Sequence, residues 1–426
     1  MAAGIDFSSL FEPVRLGPVT LKNRYAMAPT SDIQEEGGLP NEQTYAFLAA
    51  RARGGAALVH VGSVQATERA FLGQDLMQHR LYHPAHSTRY AEAADTIRWF
   101  GAAAFIQLIA GFGSFGTPPD GSALLSASDV PCVEPVDEMP ETMARLVRRM
   151  QAGDSSRAEA TRTPRALTRD EIHEEQDAFA RSVRLAAMAD FDGIEIHACH
   201  EMLVHQFRSA ATNRRTDEYG GSLENRNRFL LELVEKSLAA LRPDFPGVAV
   251  GVRLSARDYV EGGVTFAETL DLTRTIAEMG VDYLDVSNAG PSSWRHFMPD
   301  VDATNVEFAR GVKEASGLPV LCNNLHDPLT ALRAVTEGAV DVVAVTRPLI
   351  ADPELPDKVR EGRVHDVVRC TRCYLCDLRI INGMPVRCPV NPDVGREKYV
   401  PQNWRGGTVA SRLVPPLMRR RGEVAP

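Results

Sequence analysis

Short apolar runs rich in β-branched residues recur from residue 25 onward, separated by longer stretches in which apolar residues return every three or four positions. A compact apolar run bounded by turn residues reads as a buried strand, and the longer period reads as an amphipathic helix. Eight runs fit the first template: YAMAPT at 25, AALVHVGSV at 56, AAAFIQLIAG at 102, GIEIHACH at 193, VAVGVRLSA at 248, YLDVSNAG at 283, PVLCNN at 319 and VVAVTRPLI at 342. Helical stretches lie between them. In the stretch from 168 to 191, Thr168 and Glu171 form a capping box, and Ile172, Phe179, Val183, Leu185 and Ala186 supply much of an apolar stripe. Eight strand–helix repeats predict an α/β fold, a (β/α)8 barrel over residues 1–365, followed by a separate cysteine-bearing segment at 366–426. A doubly wound sheet is the alternative, disfavoured by the strand count and by the lack of an early glycine-rich phosphate turn.

Residues 112–167, rich in Gly, Pro, Ser and Asp, break the rhythm after the third strand and are too long for an ordinary loop. In a barrel this insertion opens on the catalytic face, so it reads either as a lid containing the helical stretch ETMARLVRRM or as a disordered insertion.

Composition narrows the class. The 426 residues are 44% hydrophobic, enough for a large core, and the net charge of −9 argues against a duplex-binding surface. The run Arg419 to Arg421 is the local exception, read as a solvated tail or a small docking patch. The chain has no stretch of 18 apolar residues, and its N-terminus lacks signal-peptide features, so the expectation is a soluble cytoplasmic protein with no membrane and no nucleic-acid partner. In a reducing compartment, clustered cysteines read as ligands rather than disulfides.

Barrel active sites are built from the C-terminal ends of the strands, which here carry Thr30, Gln107, His197 and His200, Arg253, Asn323 and Asn324, and Arg347. Alternation in the fourth strand sends Ile194 and Ile196 toward the helices and Glu195 and His197 inward. One strand-end histidine alone is usually structural; a second three residues later suggests two donors gripping an anionic or carbonyl oxygen. Arg347 with the Asn pair matches a barrel phosphate site, since asparagine tolerates the positive φ that turns backbone N–H groups toward an anion.

From LFEPVRLGPVTLKNRYAMAPT at 10 to NPDVGRE at 391, and most specifically through FDGIEIHACHEMLVHQFRSAATNRRTDEYGGSLENRNRF at 191, the chain resembles the old yellow enzyme family. The likeness is to its iron–sulfur branch, with 2,4-dienoyl-CoA reductase and trimethylamine dehydrogenase. The resemblance implies an FMN-binding barrel with Ala28, Pro29 and Thr30 under the flavin and Gln107 at its pyrimidine edge. Arg253 would lie near N1 and O2, and Asn323, Asn324, Thr346 and Arg347 around the phosphate. The family usually has Gly-Gly and Gly-Arg at the phosphate positions, so Asn323, Asn324 and Thr346 are departures. His197 and His200 would bind the substrate's oxygen, while Met202 stands where many members have a proton-donating tyrosine.

Cys370, Cys373, Cys376 and Cys388 are spaced C-x2-C-x2-C-x11-C, three ligands within seven residues and one remote, as four thiolates holding an iron–sulfur cluster require. Zinc more often takes two close pairs, so a [4Fe–4S] cluster is the first reading, zinc the second and unliganded thiols the third. The resemblance agrees with the cluster. Cys132, Cys199 and Cys322 are scattered and read as small buried or loop residues.

These features predict an FMN- and [4Fe–4S]-dependent oxidoreductase acting on a small organic substrate, first as a reductase of an activated C=C bond. Oxidation of an amine or N-methyl compound is the rival, for which Trp294 offers a cation–π face beside its alternative packing role. A non-catalytic electron-transfer subunit is the third reading, against which the histidine pair speaks. Cluster-bearing members usually continue into nucleotide-binding domains, and no glycine-rich dinucleotide fingerprint follows a strand here, so a separate electron-transfer protein or reductase subunit is expected as partner. Assembly into a homo-oligomer is left open.

Overall fold

The computed structural model describes residues 5–399 except 33, 35, 74–78, 132–134, 140, 142–143, 146–147 and 149–162. Eight parallel strands close into a barrel in chain order: β1 Tyr25–Met27, β2 Leu58–Gln65, β3 Ala103–Ile109, β4 Gly193–Ala198, β5 Ala249–Ser255, β6 Tyr283–Ser287, β7 Val320–Cys322 and β8 Val342–Val345. The doubly wound alternative is thereby excluded, and all eight expected runs supply a strand. Outside run α1 Glu42–Arg53, α2 Ser87–Trp99, α3 Arg169–Met188, α4 Leu223–Leu241, α5 Phe266–Glu278, α6 Val306–Ser316 and α7 Pro328–Thr336. Two short helices, Arg347–Ala351 and Leu355–Arg360, take the eighth place. Helix starts follow the sequence. Asn41, Thr168, Ser222, Thr265 and Asp327 each cap a helix with a side-chain oxygen, and Thr168 with Glu171 forms the expected capping box.

Strand register decides which side chains meet. Gln107 is level with Glu195, His197 with Arg253, and Arg253 with Asp285, so the inward positions of β3 to β6 bring one polar layer to the barrel's heart. Below that layer Phe105, Tyr283, Leu58, Leu321 and Val342 fill the floor. Glycines make the room: a Cβ on Gly251 would lie 2.1 Å from the Tyr283 ring, and one on Gly193 2.5 Å from Phe105. An antiparallel hairpin, Val14–Leu16 with Val19–Leu21, closes this end and adds Leu16 and Leu21 to the same cluster.

Two boundaries differ from expectation. The strand at 342 ends at Val345, and Arg347 opens a helical turn, because Pro348 fits the first turn of a helix and cannot donate to a ladder. The strand at 319 ends at Cys322, two residues before Asn324 turns left-handed with φ +59°.

Parts of the insertion at 112–167 lie outside the described residues, as do Cys132, most of ETMARLVRRM and Arg419 to Arg421. What is described is anchored: Leu125–Ser126 pairs with Arg165–Ala166, and Met139 and Ala144 pack against Trp294 and Tyr374. The cysteine segment lies on the barrel, with Cys376, Ile380, Val386 and Val394 in the main core. Polar ties reinforce it. The Val386 amide donates to Asp32 O (3.1 Å), Asn391 Nδ2 to Ile350 O (2.8 Å), and Glu397 accepts from Arg51 and Gln43 of α1. Among the described residues no helix is long and apolar enough to cross a membrane.

Candidate active site

The polar layer is a buried network of charged and amide groups. Gln107 Nε2 donates to Glu195 Oε1 (2.7 Å), His60 Nε2 lies 3.4 Å from Glu195 Oε2, and His60 Nδ1 is 3.0 Å from Met27 O. Burial alone would raise the Glu195 carboxyl, but His60, Arg253 and Gln107 hold it below the usual carboxylate range. Arg253 Nε stands 3.4 Å from Asp285 Oδ2. Burial works against the Arg253 charge, yet Asp285, Cys199 and Glu195 keep it protonated. Asp285 is pushed up to about 7, since desolvation and the nearby Glu195 outweigh the pull of Arg253 and His60.

Above this layer β4 ends at Ala198, and His200 and Glu201 take left-handed φ of +57° and +58°. Two successive non-glycine residues in that region cost on the order of 1–2 kcal/mol each and need surrounding support. The support is visible. Glu201 accepts from the Ser292 amide (2.9 Å) and hydroxyl, the His200 amide donates to Ser255 Oγ (2.8 Å), and His200 Nε2 meets Ser287 Oγ at 2.7 Å. The turn brings His197 Nε2 within 3.3 Å of His200 Nδ1, so the two expected histidines do share one place. Burial and then Arg253 push the His197 imidazole down to about 3 and His200 well below its ordinary value, leaving both rings neutral. Phe297 covers His200 at 5.0 Å between ring centres. Met202 caps the helix Leu203–Arg208 without a side-chain bond and has no proton to give.

Around the mouth, the Ala28 amide donates to Val345 O (3.3 Å), Thr346 Oγ1 donates to Ala28 O (3.2 Å), and Thr30 bridges to Gly62 of β2. Pro29 lies between them in the chain. Asn323 Nδ2 donates to Ser287 Oγ (3.2 Å), while Asn324, the left-handed member of the pair, donates through Nδ2 to Val301 O and Thr304 Oγ1. Arg347 is buried with its guanidinium 5.4 Å from the Tyr374 ring centre, and its Nη1 has no hydrogen-bond partner in the protein. A buried, unpartnered guanidinium N–H calls for an anionic or carbonyl oxygen.

That requirement tests the fit of FMN. Arg347 and the left-handed Asn324 suit a phosphate, and Arg253 suits an electron-rich ring edge. Gln107, its nitrogen already given to Glu195, has a carbonyl oxygen to accept from a ring N–H. The residues fit the group.

The four cysteines also form an electrostatic neighbourhood. Burial raises Cys370 and Cys376; Cys370 feels Cys388 and Cys373, Cys376 feels Cys370, and Arg347 pulls both down. Cys376 is buried and Cys373 exposed. Arg372 and Tyr374, with φ +54° and +59°, wind the chain tightly between the first three. Among the described residues the one set of three metal-ligating atoms within 4.8 Å is His197, Cys199 and His200.

The sequence reading missed His60, Asp285, Ser255, Ser287 and Glu201. For the first two a signal exists: VHV and LDV put one ionisable residue at the inward position of an apolar strand. Cys199, read as a small buried or loop residue, is buried, and its sulfur also touches both histidines. Trp294 is buried against Phe297, Met139 and Tyr374, as its packing role requires.

Residues 9–366 match the NADH:flavin oxidoreductase / NADH oxidase family. The chain is 32% identical over 401 residues to NADH oxidase of Thermoanaerobacter brockii, covering 92% of this chain and 57% of that protein. It is 30% identical over 417 residues to cinnamate reductase of Clostridium sporogenes, covering 92% and 59%. Histamine dehydrogenase from Rhizobium sp. 4-9 superposes with a TM-score of 0.77 at 28% identity, covering 92% of this chain and 53% of that one. The chain thus spans a little over half the length of these relatives.

Proposed function

The chain belongs to the NADH:flavin oxidoreductase / NADH oxidase family and is a flavin-dependent oxidoreductase of the old yellow enzyme type; from that premise we propose that it uses FMN and a [4Fe–4S] cluster to reduce an activated C=C bond of a small organic substrate. The observation that carries this reading is the neutral histidine pair standing directly above the Arg253 and Gln107 layer. Bound FMN would supply hydride chemistry at N5, and the cluster single-electron transfer.

The residues have separable tasks. Arg347, Thr346 and the Asn323–Asn324 backbone would hold the phosphate, Ala28 to Thr30 would lie under the ring, and Gln107 would accept from a ring N–H. Arg253 would place a fixed positive charge beside the ring edge, where it would favour the reduced, anionic flavin. His197 and His200 grip the carbonyl oxygen conjugated to the double bond; being neutral, they polarise it as donors rather than as acids. Ser287 and Ser255 hold His200 in position. Since Met202 has no proton to give, the proton for the second carbon comes from water.

Cys370, Cys373, Cys376 and Cys388 would hold the cluster. The exposure of Cys373 gives that cluster an edge at the surface, where a separate one-electron carrier protein can approach. Amine oxidation is the second reading, favoured by Met202 and by the likeness to histamine dehydrogenase.

The test is an anaerobic panel. Enones, enoates or unsaturated thioesters should reoxidise the reduced flavin rapidly and saturably. Reduction of the oxidised flavin by methylated amines, with no response to the unsaturated compounds, would reverse the direction.

A further inference from the structure

His197, Cys199 and His200 present three ligand atoms to one point. His197 Nε2 and His200 Nδ1 are 3.3 Å apart, and Cys199 Sγ is 3.4 Å from the first and 3.3 Å from the second. Zinc bound tetrahedrally by two imidazoles and a thiolate has N–N edges of roughly 3.3 Å and N–S edges of roughly 3.5 Å. The observed triangle has that size. It arises from the fold, because the left-handed turn at His200 folds the strand end back so that residues 197, 199 and 200 converge.

One of the two imidazoles has the matching outer contact, His200, while His197 Nδ1 has no hydrogen-bond partner in the protein. Metal-binding imidazoles give their second nitrogen to an oxygen, which fixes the tautomer and leaves the first nitrogen's lone pair for the ion. His200 Nε2 meets Ser287 Oγ at 2.7 Å, and Ser287 Oγ is itself fixed by Asn323 Nδ2 at 3.2 Å. In the tautomer with its proton on Nε2, donated to Ser287 Oγ, His200 turns the Nδ1 lone pair toward His197 Nε2, and this is the form a cation selects; with the proton on Nδ1 it is instead the donor of the functional reading above.

We propose that His197 Nε2, His200 Nδ1 and Cys199 Sγ form a site for a borderline-soft divalent ion of the zinc class. On binding, Cys199 gives its proton to solvent, one metal–sulfur and two metal–nitrogen bonds form, and no group changes oxidation state. The ion takes the nitrogens that would otherwise hold substrate, so zinc and substrate compete; that consequence, unlike the site itself, rests on the functional reading above.

The experiment is zinc-edge X-ray absorption on the full chain carrying flavin and cluster, with one equivalent of zinc chloride. The expected shell is one sulfur at about 2.3 Å and two imidazole nitrogens at about 2.0–2.1 Å. Cys199→Ser should lose the sulfur and, by chelator competition, at least roughly 100-fold in affinity, because even outer partners are worth 10–100-fold. If that variant does not fold, His200→Gln must lose one imidazole and as much affinity. A four-sulfur shell, a shell of oxygens only, or an affinity unchanged by these substitutions would overturn the site. The expected shell without a rise in substrate KM would leave the metal site standing and refute the substrate role of the histidines.

Discussion

In the proposed role His197 meets its ligand as a neutral imidazole, because burial and the Arg253 charge push its pKa down to about 3. Its contribution is a directional hydrogen bond, which a methyl group cannot replace. His197→Ala and His200→Ala should each lower turnover by about 100- to 1,000-fold, the usual cost of removing one oxyanion-type donor; steady-state rates on flavin-loaded variants check this. His326, half-buried, is likewise pushed down to about 3 by desolvation and by Arg347 and Arg372. Between pH 6.5 and 3 the unfolded chain takes up a proton there and the folded chain does not, so stability falls as pH drops through that window. In His326→Gln the loss of melting temperature between pH 6.5 and 5 should be smaller than in the wild type. The positions of the candidate residues at strand ends were legible because alternation and the strand pattern locate them. The contact of Cys199 with both histidines was not, since it depends on a left-handed φ at His200 that no residue preference announces.

At the scale of elements, eight strands could be read from apolar runs, since a parallel barrel buries both strand faces. Their ends could not. Pro348 turns the chain while the apolar pattern runs on to Ile350, which places Arg347 on a helical turn instead of at a strand end, and the left-handed Asn324 turns the chain two residues past Cys322. The hairpin Val14–Leu16 with Val19–Leu21 was likewise passed over, its strands being too short for a clear period. The cysteine segment docks through a feature with no sequence signal: Glu397 and Arg51, 346 residues apart, form a buried ion pair. Glu397→Ala strands the Arg51 charge and should destabilise the protein by about 3–5 kcal/mol, the usual result of removing one partner of a buried pair. Chemical denaturation measures this, and a change below about 1 kcal/mol would mean that water or Leu349 O satisfies Arg51.

For the whole molecule, the barrel's mouth and the cysteine segment meet at Arg347, which faces the Tyr374 ring between Cys373 and Cys376 and carries an unpartnered N–H. One side chain thus joins the surroundings of both proposed cofactors. Arg347→Ala should weaken FMN retention and shift the cluster's reduction potential downward, because a nearby positive charge stabilises the reduced, more negative cluster; potentiometry and flavin release read the two effects separately. The central claim is that a single chain carries a flavin and a four-thiolate iron–sulfur centre. It is tested most directly by measuring flavin, iron, acid-labile sulfide and zinc per chain in anaerobically purified protein. The account predicts one FMN with about four irons and four sulfides per chain; zinc in place of iron and sulfide, or a protein that holds no flavin, would contradict it.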